Sequence, residues 1–343
     1  MKRRIWTIAV GLAAIAALIA VPAAMAAYAS PKLELTQTGT GVVVKASLDS
    51  NDDPTAAVVI VAPSGTQLTT SQAPGTVLGP VRAIVKALDL AGADLPLEGQ
   101  LVVAAPGRVS AATQTGCIGP APPIATWVMV LTAAGQTLPD IPTYLVSTAG
   151  TNLAPLGPAF IGICLPPPDV PVGTPGRATF GAKVYSAELA INGVFSRVAT
   201  GAWISRWVPY TPGAGTPNPA GSVVSPAAVA PGAVSISAKR SGKGAVVSGT
   251  VTQAGQPRGG ATVTVLGGSA KSKLTTRKRV RVGANGKFAT KFAVGTFFRA
   301  DAVATGAAAA PLCTQLQPLI GATPCVNPTV NGFAVKSKVV RKK

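Results

Sequence analysis

Gly41-Val42-Val43-Val44 and Ala57-Val58-Val59-Ile60-Val61 are the stretches of sequence that decide the fold. Both are short runs rich in β-branched residues, which pack well on a pleated surface. Similar runs recur along the chain, with proline and glycine every few residues between them. Short strands separated by such turn residues are typical of antiparallel sandwiches. The sequence therefore predicts an all-β protein built from β-sandwich domains.

One segment departs from this pattern. Val81, Ile84, Val85 and Leu88 fall at helical spacing, and Pro80 suits the first position of a helix. We therefore expect one short helix there.

Charge divides the chain into two parts. Residues 30–230 carry nine Lys/Arg and ten Asp/Glu, whereas residues 231–343 carry eighteen Lys/Arg and one acid, Asp301. Residues 211–232 contain five prolines and four glycines, a composition typical of an extended linker. The chain is also too long for a single core. We predict a signal peptide at 1–29, an N-terminal β-sandwich domain at 30–210, a linker at 211–233 and a basic Ig-like β-sandwich domain at 234–343.

The first 29 residues have the features of a secretory signal peptide. Lys2, Arg3 and Arg4 precede an apolar stretch at residues 5–20, and small-residue cleavage sites follow. A retained membrane anchor is the alternative, but a spanning helix needs about 20 apolar residues. The C-terminal end shows no second apolar stretch of spanning length. We expect a secreted protein without a transmembrane segment after cleavage, either released or held non-covalently at the cell surface.

Four cysteines agree with an oxidising compartment. Cys117, Cys164, Cys313 and Cys325 allow three pairings, and the change in composition between the halves favours Cys117–Cys164 and Cys313–Cys325. A zinc site would need paired C-x-x-C spacing or histidine, and the chain has neither. Asp49-Ser50-Asn51-Asp52-Asp53 could offer oxygens to calcium but lacks the later Gly and Glu of an EF-hand loop. We expect two disulfides, a polar turn at the aspartates, and no metal or cofactor.

A sequence pattern in the C-terminal part resembles a known kind of module. Its four segments are Val247-Ser248-Gly249-Thr250-Val251-Thr252, Gly255-Gln256-Pro257, Gly260-Ala261-Thr262-Val263-Thr264-Val265 and Ala284-Asn285-Gly286-Lys287-Phe288. This layout resembles the bacterial Ig-like and carboxypeptidase-regulatory-like (transthyretin-like) β-sandwich modules. The resemblance implies a sandwich with a turn preset by Pro257 and a tight hairpin at Asn285-Gly286. Gly259, in place of a bulky residue, and the cysteine loop near the C-terminus depart from the pattern. Such modules serve as spacers, adhesive units and accessory domains, so the resemblance does not identify a function.

Basic residues alternate along the predicted strands of this part. Counting by two along residues 273–282 places lysine and arginine on one face, although Lys278 breaks the alternation, so the strand is expected to begin after it. Beyond the predicted hairpin, two lysines alternate with inward phenylalanines, and a strand at 333–340 adds two more. If these strands share a sheet, the basic side chains form one surface. The predicted anion-binding residues are Lys273, Arg277, Arg279, Arg281, Lys287, Lys291, Lys336 and Lys338.

The function of this surface has two interpretations. A charged face often serves only solubility, but a one-signed field of this size exceeds that need. We therefore expect an anionic cell-wall or extracellular polymer as the partner. Nucleic acid is the weaker candidate, because its binding modules usually add exposed aromatic side chains or a helix for the groove.

Two other functions remain as alternatives. Trp203 and Trp207 fall on the same face of a predicted strand with Ser205, and if exposed they would form a sugar-stacking platform; buried, they would be core. The second hypothesis is therefore a carbohydrate-binding or adhesion protein whose specificity lies in the N-terminal domain. A carboxylate-dependent hydrolase is the third, since a glycosidase needs only two carboxylates, but no spacing singles out a pair. Without histidine, Ser-His and Cys-His nucleophiles are excluded, and we predict a non-catalytic protein.

Overall fold

The structure is a computed structural model of the 343-residue chain. It describes residues 28–29, 31–37, 41–197, 201–229, 232–253, 256–305, 307–308, 313, 316, 323–325, 329–330 and 332–343. Nearly all of the predicted signal peptide at 1–29 lies outside the described residues. In the part that is described, no helix has both the length and the apolar character needed to span a membrane.

Most of the described chain is β-strand, so the predicted all-β class is confirmed. The strands of the N-terminal part are β1 (Lys32–Gln37), β2 (Gly41–Ser47), β3 (Thr55–Val61), β4 (Gln67–Leu68), β5 (Val77–Ala87), β6 (Ala93–Val103), β7 (Ala125–Ala133), β8 (Gln136–Thr137), β9 (Ile141–Ser147), β10 (Ala159–Cys164), β11 (Ala182–Asn192), β12 (Phe195–Arg197), β13 (Gly201–Pro209) and β14 (Val223–Val229). Those of the C-terminal part are β15 (Gly232–Ser241), β16 (Gly244–Gln253), β17 (Gln256–Pro257), β18 (Thr262–Ala270), β19 (Lys273–Arg281), β20 (Lys287–Phe292), β21 (Phe297–Ala304), β22 (Ala307–Ala308), β23 (Thr329–Val330), β24 (Phe333–Lys336) and β25 (Val340–Arg341). Helical elements among the described residues include α1 (Ala111–Ile118) and the single 3₁₀ turns Leu88–Leu90, Thr179–Gly181 and Pro219–Gly221. Cys313 and Leu316 are also helical.

Eleven strands of the N-terminal part form one antiparallel sheet that nearly closes into a barrel. Their order is β1, β2, β11, β5, β6, β7, β9, β10, β3, β13, β14. β14 then lies beside β1, with Cα atoms within 8 Å of each other. The expected N-terminal sandwich is therefore wrong, because a single sheet curls around one core. Twisted sheets of more than about ten strands tend to curl in this way.

The helix expected near Pro80 is also wrong, because this segment lies in β5. Val81 and Val85 are buried with a period of two, whereas Ile84 is 40% exposed. Leu88, at 39% exposure, follows the strand. The helical spacing depended on Ile84 and Leu88, which the structure leaves at the surface.

The continuous apolar run in β3 reflects burial on both faces. Val58 and Ile60 belong to the core inside the sheet, while Val61 belongs to a second cluster on the outer side. That outer cluster also contains Leu316, and Ile118 of α1 packs against it. Strands covered on both faces lose the alternation of polar and apolar residues.

The C-terminal part consists of two sheets around a shared core. One contains β15, β16 and β20 with the short β17, and the other contains β19, β18, β21, β24 and β25. Val247 and Phe288 from the first sheet pack with Val263 and Phe298 from the second.

β19 and β20 do not form the expected hairpin, because they belong to different sheets. The turn between them is nevertheless as predicted at Gly286, which has a φ of +73°. Gly259 lies so close to the neighbouring backbone that a Cβ there would be 2.8 Å from the Cα of Ala284. This close approach explains the absence of a bulky residue at position 259.

The two parts are joined by more than a linker. Gln37 of β1 pairs with Phe333 of β24, and Ala228 of β14 pairs with Val330 of β23, both in parallel. The segment predicted as a linker, 211–233, contains β14, which pairs with β13 along its whole length. The prolines and glycines at the start of this segment form the turn before β14, and not the extended linker that was predicted.

Both predicted disulfides are confirmed. Cys117–Cys164 joins α1 to the end of β10, and Cys313–Cys325 joins two cysteines that are 12 positions apart in the sequence. Cys325 lies against the N-terminal sheet, where Val224 donates a 2.7 Å hydrogen bond to the carbonyl of Pro324.

Candidate anion-binding face

Three arginines lie in line on the outer side of β19. Arg277, Arg279 and Arg281 are opposite Leu266, Thr264 and Thr262 of β18, and all three are exposed. Residues two apart on a strand are separated by about 7 Å. This spacing is below the Debye length of about 8 Å at physiological ionic strength, so the fields of the three guanidinium groups add.

The same face contains the single acid of the C-terminal part. Asp301 of β21 lies opposite Thr264 on one side and Lys336 of β24 on the other. Arg299 binds both carboxylate oxygens, with N–O distances of 2.8 and 3.0 Å. Because this acid is occupied by Arg299, it does not neutralise the outer row, and the described residues show no ion pair to the β19 arginines or to Lys336.

Lys338 is exposed just beyond Lys336, although the single strand expected at 333–340 is interrupted. Ser337 causes the interruption: its amide donates to the carbonyl of Ala300, and its hydroxyl accepts from the amide of Ala300 at 2.9 Å. The side chain thus replaces a ladder partner, and pairing with β21 resumes only at Val340.

Two lysines of β19 differ from the predicted alternation. The register shifts between Gly267 and Ala270, which separates the exposed Lys273 from the row of arginines. Lys278 lies within the strand, not before it, and its Nζ is 5.6 Å from the centre of the Phe292 ring. Lys278 therefore covers the edge of the core, with a cation–π contact, while its neighbours face outward.

Lys287 and Lys291 lie on the other sheet. Phe288 and Phe292 are buried as predicted, and the lysines alternate with them on the outer side of β20. Since β19 and β20 are in different sheets, the predicted basic residues form two separate faces and not one surface.

Lys239 belongs to the face of Lys287 and Lys291 and was not predicted. It lies opposite Val246, which in turn lies opposite Lys291. The sequence does contain a signal for its position: Val234, Ile236 and Ala238 alternate along the strand and face inward, so Lys239 faces outward.

The prediction of a sugar-stacking platform at Trp203 and Trp207 is wrong. Trp203 and Trp207 do share a strand face with Ser205, but their exposures are 0% and 3%. Trp207 donates from Nε1 to Ser205 Oγ at 2.8 Å, and Ser205 donates to the carbonyl of Ser225. Both indoles belong to the core inside the barrel-shaped sheet, where no sugar can stack on them.

The aspartate-rich segment forms a polar turn. Asp49 Oδ1 accepts from the amide of Asn51, and Asp52 accepts from the amides of Asp49 and Ala29 at 3.1 and 2.7 Å. These carboxylates hold the turn between β2 and β3 and attach the start of the described chain to it.

Comparison with family models found no match, and comparison with curated proteins found no similar sequence. Two solved structures are similar at 11% identity, each over 92% of this chain. The first is a tetra-tandem repeat in the extending region of a large adhesion protein, with 74% of that chain covered and a TM-score of 0.22. The second is dimeric latent PorU from Porphyromonas gingivalis, with 34% covered and a TM-score of 0.18. TM-scores this low inform neither fold nor function.

Proposed function

We propose that this is a secreted, non-catalytic surface-binding protein whose C-terminal part associates with anionic polymer through one face. We call this the arginine face: it consists of Arg277, Arg279, Arg281 and Lys336, with the exposed Lys338 just beyond Lys336. The observation that carries the proposal is the row of exposed arginines on β19 without an ion pair among the described residues. The two disulfides agree with an extracellular location.

The geometry of the row favours a polymer over a small anion. Arg277 and Arg281 are about 14 Å apart along the strand, and the face is a sheet surface that presents its cations in a line. Each guanidinium can bind a phosphate, sulfate or carboxylate through two parallel hydrogen bonds. A chain with repeated negative groups can engage several arginines at once.

We further propose that the C-terminal part is an Ig-like or carboxypeptidase-regulatory-like module used as the binding unit. Two facing sheets with one core and the turn at Gly286 support this assignment. The alternative of a sugar site on the N-terminal tryptophans loses its support because both indoles are buried. The hydrolase alternative gains none from Asp89, Asp94 and Asp140, each of which is ion-paired with a basic side chain.

A simpler role for the arginines is protection of a sheet edge. β19 pairs with β18 and with no other described strand, and charged side chains on edge strands prevent pairing with other molecules. Edge protection requires only charge, whereas polymer binding requires that these particular side chains face the polymer. The two roles therefore differ in how binding depends on the position of the charge.

The experiment compares two charge reversals of equal size on opposite sheets. Arg279→Glu with Arg281→Glu alters the arginine face, and Lys287→Glu with Lys291→Glu is the matched control. Affinity for fluorescent polyphosphate and for dextran sulfate is measured against salt concentration. Each counterion-releasing contact contributes about 0.7 to 0.9 to the slope of log affinity against log salt. We expect the first variant to lose about 1.5 from the slope and the control to keep most of it.

Other outcomes contradict the proposal. Equal loss in both variants would mean that only net charge matters and that β19 has an edge-protecting role. Binding that ignores salt or survives both reversals would place the partner site elsewhere. Because all four side chains are exposed, both variants are expected to keep the thermal stability of the unaltered protein.

A further inference from the structure

An apolar cavity of about 90 Å³ lies inside the barrel-shaped sheet. Its cause is a row of small side chains: Ala187 of β11 lies directly opposite Ala46 of β2 and opposite Ala83 of β5. All three alanines line the cavity, and larger apolar side chains, including Met129 and Trp207, complete the wall. Elsewhere along these three strands, inward positions carry Val or Leu, which fill the interior. The three adjacent alanines leave that space open.

A sheet of this size explains why space remains. Eight strands enclose an interior that side chains just fill, and this sheet has eleven. Large side chains such as Trp127 and Trp203 are fully buried in this interior. Protein interiors are otherwise close-packed, and an unfilled cavity lowers stability, so three small side chains at one level need a reason.

A larger chamber of about 510 Å³ lies beside the cavity. Leu97, Ile141, Leu165 and Val184 line both spaces. The chamber lies at the end of the sheet where β10 ends and β11 begins, and residues 165–181 between these strands contribute much of its wall. By the alternating strand directions, this is the end away from Gln37 and Ala228, where the C-terminal part is attached.

The charged groups at the chamber are already paired. Arg177 binds both oxygens of Asp89, at 2.6 and 2.8 Å, and donates from Nε to the carbonyl of Val170. Asp140 is bound through both oxygens by Arg108, at 2.7 and 3.1 Å. A charged ligand would have to displace one of these pairs, whereas an uncharged one would not.

We propose that the cavity and the chamber together bind one elongated, uncharged apolar molecule with a hydrocarbon end and a weakly polar end. The hydrocarbon end occupies the alanine-lined cavity, because apolar cavities stay dry and accept apolar guests; one of about 150 Å³ accepts benzene, and this smaller one fits the end of a chain. The weakly polar end lies in the chamber, whose lining includes Thr113 and Thr179; the hydroxyl of Thr113 is also hydrogen-bonded to Ser110 Oγ at 2.7 Å. The size of the chamber falls in the range of small-molecule sites.

The test uses the whole mature chain and decanol with bromine on its terminal carbon. Bromine quenches tryptophan fluorescence on contact, and Trp207 is in the cavity wall. We expect saturable quenching below the solubility limit of the alcohol. Ala83→Leu places a larger side chain in the space that the three alanines leave, and it should weaken binding at least about tenfold, as is usual when a pocket loses a methylene-sized space. Arg82→Leu is the control, since Arg82 is the exposed neighbour on the opposite face of β5.

Each result supports or overturns the proposal. Quenching that is lost in Ala83→Leu and kept in Arg82→Leu supports it, together with an unchanged or raised melting temperature for the filled variant. Quenching that does not saturate, or that both variants share equally, overturns it. Equal or tighter binding of the corresponding bromodecanoate overturns the assignment to uncharged molecules. If Ala83→Leu fails to fold, Ala46→Val gives the deciding comparison, because it removes space from the same row with a smaller side chain.

Discussion

Tyr210 holds one end of the segment that covers the chamber. The residue is buried, and its hydroxyl donates a 2.6 Å hydrogen bond to the carbonyl of Leu165. Burial raises the pKa of Tyr210 from its ordinary value of 10.0 to about 12, with a smaller contribution from the charge of Asp169. The folded protein therefore holds this proton more tightly than the unfolded chain does.

Because the pKa of Tyr210 is higher in the folded protein than in the unfolded chain, its contribution to stability decreases at high pH. Stability from Tyr210 is complete below about pH 10 and is lost as the pH rises through about 12. Tyr210→Phe removes the hydrogen bond, worth about 1 kcal/mol, and should reduce the alkaline loss of stability in urea unfolding. The other tyrosines titrate in both proteins, so the difference between the two pH profiles isolates Tyr210. Identical alkaline losses would contradict the assignment.

Single residues also show what sequence can and cannot predict. The period of a strand placed Trp203, Ser205 and Trp207 on one face correctly. Whether that face is inside or outside depends on how eleven strands close around it, which no local pattern contains. The same limit applies to Ala46, Ala83 and Ala187: each is an ordinary alanine in sequence, and only the register across three strands makes them a cavity.

At the scale of elements, the two disulfides should contribute unequally to stability. Cys117–Cys164 closes 47 residues and Cys313–Cys325 closes 12. In the loop-entropy description these contribute about 4 and about 3 kcal/mol to the free energy of unfolding. The long bridge also attaches α1 to the outer side of β10, where Ile118 packs, so its removal loses packing as well.

We expect the double variant Cys117→Ser/Cys164→Ser to unfold at lower urea concentration than Cys313→Ser/Cys325→Ser. Each pair serves as the control for the other, since both remove one bridge and leave no free thiol. A larger loss from the short bridge would show that its loop stabilises the contact with the N-terminal sheet more than the entropy of closure predicts.

Elements were predictable where their signal was local. Asn285-Gly286 identified the turn, and the alternation of Phe288 and Phe292 identified the inward side of β20. The partner of β20 was not predictable, because a tight turn can either fold a strand back on its neighbour or pass it to the facing sheet. That choice decides whether Lys287 joins the arginine face, and the structure places it on the other sheet.

At the scale of the whole molecule, the division of the chain was predicted from charge, which carries no signal for how the parts are joined. The two cores are separate: one lies inside the barrel-shaped sheet, the other between the two C-terminal sheets. A third cluster crosses the boundary, because Leu316 and Cys325 pack against Tyr144 and Phe160 on the outer side of the N-terminal sheet. Long-range contacts of this kind leave no periodic signal in either partner.

These separate cores and their shared cluster predict different behaviour for the two parts when they are expressed alone. Residues 232–343 should unfold cooperatively, because their core is complete without the N-terminal part. Residues 28–230 should melt at a lower temperature than the whole chain and bind a hydrophobic dye, because Tyr144, Phe160 and Ile204 lose the cover of Leu316.

Mixing the two fragments provides the control, since restored contact should reduce dye binding. Leu316→Asp in the whole chain should reproduce part of the effect: it places an unpaired charge in an apolar cluster and leaves both main cores unchanged. A fragment 232–343 that unfolds gradually and is digested rapidly would show that the C-terminal sheets depend on β1 and β14 for their stability. In that case the C-terminal part would not be an independent folding unit. Its stability would depend on the parallel pairs at Gln37 and Ala228 and not on its own core alone.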